Sequence, residues 1–92
     1  MNFDDTMDNQ YTQAQFDSAL LNLLLKEKRN GSYSTEVIAK DLHDIVVSDI
    51  SYNGMPMACN SMWKLHTLIG GKVIYSSPSK QSPKIEIEYH FE

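Results

Sequence analysis

The sequence lacks the features that mark secreted and membrane-spanning proteins. It contains one cysteine, Cys59, which excludes an intrachain disulfide framework and is typical of a reducing compartment. It has no run of the roughly 18 to 20 apolar residues that a membrane-spanning helix needs. No Lys or Arg precedes Lys26, so neither a secretory signal nor a transit peptide is predicted. We therefore expect a cytoplasmic protein.

Catalytic and metal-binding motifs are also lacking. Cys59, His66 and His43 provide no Cys-x-x-Cys pair and no fourth ligand for a structural zinc site. A nucleophilic Cys59 would need a base and an oxyanion site, for which a chain of 92 residues has little room. Glu86 and Glu88 share a strand face, where carboxylates usually protect a sheet edge. We therefore predict a protein that is not an enzyme and that needs no cofactor or metal.

Basic residues are scarce: 8 Lys and Arg stand against 12 Asp and Glu, for a net charge of −4. Asp4, Asp5 and Asp8 lie close to the N-terminus, and we predict that residues 1–10 form a flexible acidic leader. Residues 11–92 are expected to form one small domain. A negative net charge opposes non-specific binding to phosphate groups, although a locally basic face can still dock on nucleic acid.

Three segments have helical periodicity. The first runs from Tyr11 to Gly31, where Thr12 and Gln15 form a predicted capping box and Asn30-Gly31 forms the stop. The second is STEVIAKDLHDIVV, predicted to be helical from an N-cap at Ser34 or Thr35. Its predicted apolar stripe consists of Val37, Ile38, Leu42 and Ile45.

The third helix is predicted from Pro56 to Ile69, between a favourable N-terminal proline and Gly70-Gly71. Its spacing predicts that one face packs in the core, with Ala58, Met62, Leu65 and Ile69. The other face would then present Asn60, Ser61, Lys64 and Thr67. Trp63 is expected to pack at the boundary of the core.

The C-terminal third alternates between apolar and polar residues. KVIYSS and KIEIEYHF predict two antiparallel strands joined by the loop PSKQSP. The side chains predicted to share one strand face are Ile85, Ile87, Tyr89 and Phe91. The loop exceeds a tight turn, so its tip is expected to project.

The order helix, short extended piece, helix, helix and hairpin resembles the winged helix-turn-helix superfamily over residues 11 to 91. The resemblance implies an α+β fold, a three-helix winged helix-turn-helix-like domain with a C-terminal two-stranded β-hairpin, the wing. It also implies that Pro56 to Ile69 enters the major groove and that Lys72 to Phe91 touches neighbouring DNA. The segment from Val46 to Gly54 is longer than the usual turn between the two helices.

On this resemblance we expect a small DNA-binding protein, a transcriptional regulator of the kind common in bacteria, phages and other mobile elements. Its partner would be double-stranded DNA, and a homodimer would multiply the contacts. Leu21 and Leu25, which lie off the main stripe of the first helix, are the predicted dimer interface. The predicted DNA contacts are Asn60, Ser61, Lys64 and Thr67 in the helix and Ser79, Lys80, Gln81 and Lys84 in the wing.

A second hypothesis is a winged-helix module, or a small inhibitor, that binds a protein such as a nucleic-acid-binding protein instead of DNA. Charge placement distinguishes the two hypotheses. An exposed face that combines Lys64 with Lys80 favours DNA. A continuous acidic face favours a protein partner, and its members would be Asp41, Asp44, Asp49, Glu86 and Glu88.

Overall fold

The computed structural model describes residues 11–49 and 51–91, which form three helices and a three-stranded antiparallel sheet. The fold class is therefore α+β, as predicted, whereas the predicted leader, residues 1–10, lies outside the described residues. No helix in the described part is long and apolar enough to cross a lipid bilayer. The elements are α1 (Gln13–Arg29), β1 (Ser34–Ile38), α2 (Ala39–Val46), α3 (Met55–Ile69), β2 (Lys72–Tyr75) and β3 (Glu86–His90).

The first helix, α1, begins and ends where the sequence predicts. The Thr12 hydroxyl accepts a hydrogen bond from the Gln15 backbone N–H, and the Gln15 side chain accepts one from the Thr12 N–H. This capping box satisfies two N–H groups that have no partner within the helix. Asn30 is the C-cap, and Gly31 follows with a positive φ of 90°. Both predicted end signals are confirmed.

The prediction for the second helix is wrong at its N-terminus. Ser34 to Ile38 form strand β1, and the helix α2 begins only at Ala39. The reason is tertiary: β1 pairs with β3 along its whole length, and the Ala39 N–H then donates to the Ile85 carbonyl. These partners replace the N-cap that Ser34 or Thr35 would have supplied.

The third helix, α3, is confirmed, and Ala58, Met62 and Leu65 are buried as predicted. Ile69 is 49% exposed, so its prediction as a core residue is wrong. The buried arc of α3 is also wider than the predicted stripe, because Cys59 is fully buried as well. On α2, Ile45 is 55% exposed, which contradicts its place in the predicted stripe.

The sheet has the order β1-β3-β2, so β3 is its central strand. Its inward side chains Ile87 and Tyr89, together with Ile85 just before the strand, are fully buried against the helices. The Tyr89 hydroxyl donates to the Met62 carbonyl of α3 over 2.7 Å, and burial raises the pKa of Tyr89. Residues 76–85 connect β2 to β3, so the strands are shorter and the loop longer than predicted.

Gly71→Ala is expected to destabilise the fold more than Gly31→Ala, although both glycines have a positive φ. A Cβ at Gly71 would lie 2.5 Å from the Glu88 carbonyl oxygen in the central strand, whereas one at Gly31 would meet nothing within 4 Å. Backbone strain alone costs about 1–2 kcal/mol. Urea denaturation of both variants measures the difference, and equal losses would show that close strand packing at Gly71 is unimportant.

Candidate functional site

The outer face of α3 and the tip of the β2–β3 loop touch each other and form one surface. The Trp63 indole N–H donates to the Lys80 carbonyl over 3.0 Å, and the Lys80 Nζ lies 5.2 Å from the centroid of the Trp63 ring. Lys80 itself has a φ of 61°, a conformation that the contacts of the loop must hold. We call Asn60, Trp63, Lys64 and Thr67 of α3, together with residues 79–81, the α3–loop surface.

Trp63 joins the two parts of this surface. It is partly buried against the core, as predicted, and its ring meets that of His66 edge-on at 5.9 Å. Its indole N–H is satisfied by the loop and its face by the Lys80 ammonium, a cation–π contact. The loop tip is thereby positioned beside the exposed face of the helix.

Ser61 corrects the predicted site. It is 1% exposed, so the prediction that it faces outward and contacts DNA is wrong. Its hydroxyl donates to Asp17 Oδ1 over 2.5 Å and accepts from the Gln13 side-chain amide over 2.7 Å. α1 packs alongside this flank of α3, and the buried hydroxyl finds both partners there.

Lys64 is exposed as predicted, but its charge is balanced. Its Nζ lies 2.6 Å from Asp17 Oδ2. Burial raises the pKa of Asp17, and the hydrogen bonds from Lys64 and Ser61 outweigh that effect, so the net pKa lies below its ordinary value of 3.8. Asp17 therefore stays ionised and neutralises one of the bases expected to meet phosphate.

The remaining predicted contacts are exposed. Asn60 and Thr67 lie on the outer face of α3, and the Thr67 hydroxyl donates to the Trp63 carbonyl one turn earlier. In the loop, the Ser79 hydroxyl accepts from the Gln81 N–H and contacts the Ser77 hydroxyl, which shapes the tip. Ser79, Lys80, Gln81 and Lys84 are all exposed.

Lys84 lies at the other end of the loop, next to Pro83. The Pro83 carbonyl accepts the Lys40 backbone N–H at the start of α2. That end of the loop is therefore anchored on α2, whereas Lys80 rests on α3. The three lysines therefore have different surroundings: Lys64 pairs with Asp17 of α1 and Lys80 lies over Trp63, whereas the residues on either side of Lys84 bond to α2.

Two of the acidic residues predicted to favour a protein partner have local partners of their own. Asp44 pairs with Lys40 over 2.7 Å, and Asp49 accepts from the Ser51 backbone and hydroxyl. Glu86 lies on the outer face of the sheet, where burial and the neighbouring carboxylates Glu36 and Asp41 raise its pKa. Glu36, Asp41 and Glu86 therefore form one acidic group, while Asp44 and Asp49 are paired elsewhere.

Cys59 and His43 have structural roles in this fold. Cys59 Sγ is a weak donor to the Ser82 carbonyl at 3.6 Å, and burial raises the pKa of the thiol, which disfavours the reactive thiolate. His43 Nε2 accepts from the Gly54 N–H, so its Nδ1 carries the proton shared with Asp44. Within residues 11–49 and 51–91, no group of three or more His, Cys, Asp or Glu side chains could hold a metal ion.

Asp17 is the site residue that sequence reasoning missed. Asp17 follows the buried Phe16 in α1 and is only partly buried. At such a position the sequence gives no reason to expect a partner for an aspartate. Ser61 and Lys64 are more than forty positions away in the sequence, so only the packing of α1 on α3 joins them. No local spacing could have indicated this network.

Asp17→Asn is expected to lower the free energy of unfolding at pH 7 by about 1 kcal/mol, because it removes one partly buried ion pair. The folded-state pKa of Asp17 is lowered, so its stabilisation is present above the unfolded value and is lost as pH falls through the folded value. The wild-type advantage should therefore shrink between pH 7 and pH 3 in urea denaturation.

Asp44→Asn is the matched control, because Asp44 also pairs with a lysine but lies on the surface. We expect a smaller loss of stability for this variant at pH 7. An equal loss for the two variants would show that the contacts between Asp17, Ser61 and Lys64 add nothing beyond an ordinary surface pair.

The geometry on its own describes a polar surface with two lysines, built on α3 and the loop. The chain was compared with protein-family models, curated proteins and solved structures, and none of them matches it. Its function is therefore inferred from the contacts, burial and charges of the described residues.

Proposed function

We propose that this chain is a small DNA-binding protein of the winged helix-turn-helix kind, with α3 in the major groove and the β2–β3 loop as the wing. The element order supports the proposal, because a helix, a strand, two helices and two paired strands follow one another along the chain. The observation that carries it is the contact between Trp63 and Lys80. This contact holds a basic loop beside the exposed face of a helix.

The shape of α3 suits the proposed role. It has 15 residues, which corresponds to a length of about 22 Å at 1.5 Å per residue. A helix of this kind fits the major groove of B-form DNA, which is about 12 Å wide. Asn60 and Thr67 carry side chains that hydrogen-bond base edges, and Lys80 is suited to a phosphate.

Charge placement limits the strength of the DNA binding that we propose. Asp4, Asp5, Asp8 and Glu92 lie outside the described residues, so the described part has eight acidic and eight basic side chains. Of these acids, Asp17 lies at the α3–loop surface, where it pairs with Lys64. The uncompensated positive charge there is small, so the affinity should be modest and should depend on salt. Transcriptional regulation is the role proposed for such a protein.

A protein-binding module remains the second candidate, because one observation favours it. The pairing of Asp17 with Lys64 removes a base from the α3–loop surface, while Glu36, Glu86 and Asp41 place negative charge at the outer face of the sheet. An acidic group of this kind suits a basic protein, such as one that itself binds nucleic acid. This candidate includes a small inhibitor of such a protein.

DNA binding is tested by fluorescence anisotropy with random-sequence duplex DNA at low salt, followed by selection for preferred sequences. We expect Lys80→Ala to weaken binding and to reduce the slope of log affinity against log salt by about one, the loss of one phosphate contact. Trp63→Phe should also weaken binding although Lys80 is kept, because the N–H that holds the loop is lost.

Lys40→Ala is the control, because the Lys40 side chain is also exposed but lies on α2, outside the α3–loop surface. It should leave the affinity and the salt dependence unchanged. Absence of a duplex complex at low salt would reject the proposal. Capture of one stoichiometric protein partner, weakened by reversal of the charge at Glu36 and Glu86, would then support the second candidate.

A further inference from the structure

The N-terminus of α3 is held by a histidine of another helix. The Gly54 backbone N–H, at the N-cap position, donates to His43 Nε2 of α2 over 3.1 Å. Gly54 has no side chain that could cap α3, and Pro56 in the first turn has no N–H. Gly54 is buried, and a Cβ there would lie 2.9 Å from the Phe16 ring. Because this space is closely packed, water does not readily replace the imidazole as the acceptor.

His43 has a second partner on its other ring nitrogen. Its Nδ1 lies 3.1 Å from Asp44 Oδ1, and the other oxygen of Asp44 pairs with Lys40. Because Nε2 accepts from Gly54, the ring that makes both contacts is neutral, and Nδ1 carries its proton. The His43 side chain is 13% exposed, so a proton from solvent can reach it.

The surroundings of His43 have opposite effects on its charge. Asp44 favours a protonated ring, as does the C-terminal end of α2, where His43 lies in the last turn. The Gly54 N–H disfavours it, as does the N-terminal end of α3, whose first turn has no acidic residue. From α1, Phe16 packs near the ring, with 6.4 Å between the ring centroids, and it contributes no charge. Each charge state of His43 therefore has its own favourable contacts.

We propose that His43 is a pH-sensitive cap of α3, which holds Gly54 when the ring is neutral and releases it when the ring is protonated. Protonation places a hydrogen on Nε2, so that two N–H donors would face each other at Gly54. The ion pair with Asp44 keeps the charged ring on α2, and the buried Gly54 N–H loses its acceptor. Histidine ordinarily changes charge between about pH 5 and pH 8, so the device responds near neutral pH.

The release should be confined to the first turn of α3. Further along, the Met57 carbonyl accepts from the Gln13 side-chain amide of α1 over 2.8 Å, and Ala58 and Cys59 are fully buried in the core. Acidification would therefore loosen the N-terminal end of the helix that carries the α3–loop surface, while the rest of the fold remains. This inference does not depend on DNA binding, because it concerns the contacts of α3 within the chain.

Nuclear magnetic resonance of the whole protein, followed from about pH 8 to about pH 5, tests the device. The protection of the Gly54 amide against hydrogen exchange should fall at least about tenfold as His43 is protonated, the factor expected for one lost hydrogen bond. The ring C–H resonances report the protonation of His43 in the same samples. The amides of the central strand β3 should keep their protection.

His43→Gln retains an acceptor near the position of Nε2 but cannot take up a proton, so the Gly54 amide should stay protected down to about pH 5. His90→Gln is the matched control, because His90 also lies beside a carboxylate, that of Glu88 at 3.2 Å, but belongs to β3. It should leave the pH response of Gly54 unchanged. Circular dichroism shows whether each variant folds.

The wild-type titration decides the proposal even if the glutamine variant at His43 does not fold. A Gly54 amide that stays equally protected while the His43 ring becomes protonated would overturn it. A loss of protection throughout β3 at the same pH would also overturn it, because that result indicates general unfolding. The same response of Gly54 in a folded His43→Gln protein would show that another group is responsible.

Discussion

The positions of α3 and of the β2–β3 loop depend on the packing of the central strand β3. β1 and β2 pair with its two edges, and its inward side chains Ile87 and Tyr89 are fully buried, as is Ile85 just before the strand. The Tyr89 hydroxyl donates to the Met62 carbonyl, so the strand is joined to α3 by a hydrogen bond inside the apolar core. A buried hydroxyl without a partner would be costly, and this contact therefore helps to define the position of the helix on the sheet.

The arrangement of the candidate site follows from that packing. The chain leaves α3 through Gly70 and Gly71, passes along β2 and returns through the loop to β3. Because both ends of the loop are fixed by the sheet, its tip can reach back to α3, where Trp63 binds the Lys80 carbonyl. Pro83 and Ile85 meanwhile accept hydrogen bonds from the first turn of α2. One loop thus connects two helices and the sheet.

Contacts with neighbouring residues determine how much of the formal charge on each surface is neutralised. Lys64 is exposed and yet paired with Asp17, whereas Lys80 lies over the ring of Trp63. On α2, Asp44 pairs with Lys40, and Asp49 beyond it bonds to Ser51, whereas Glu86 of the sheet lies beside Glu36 and Asp41. Because the charge of each face is small, shape and hydrogen bonding would contribute much of the specificity of the proposed DNA contact.

Sequence patterns predicted those features that depend on residues close to one another in the sequence. The capping box at Thr12, the end of α1 at Asn30 and the extent of α3 all follow from local spacing. The start of α2 was predicted wrongly at Ser34 or Thr35, because the pairing of β1 with β3 is stronger than a local capping preference. A strand in the middle of the chain has little signal of its own when its partner lies near the C-terminus.

The sequence by itself therefore determined the α+β class, most of two helices and the apolar residues of β3. Only the tertiary structure decided that Ser61 is buried, that Ile69 is exposed and that Asp17 holds Lys64. Helical periodicity predicts a single inward face for a helix, because it contains no information on where the neighbouring elements lie. α3 instead packs against α1 on one flank and the sheet on another, so the position of its neighbours determines which side chains remain available for binding.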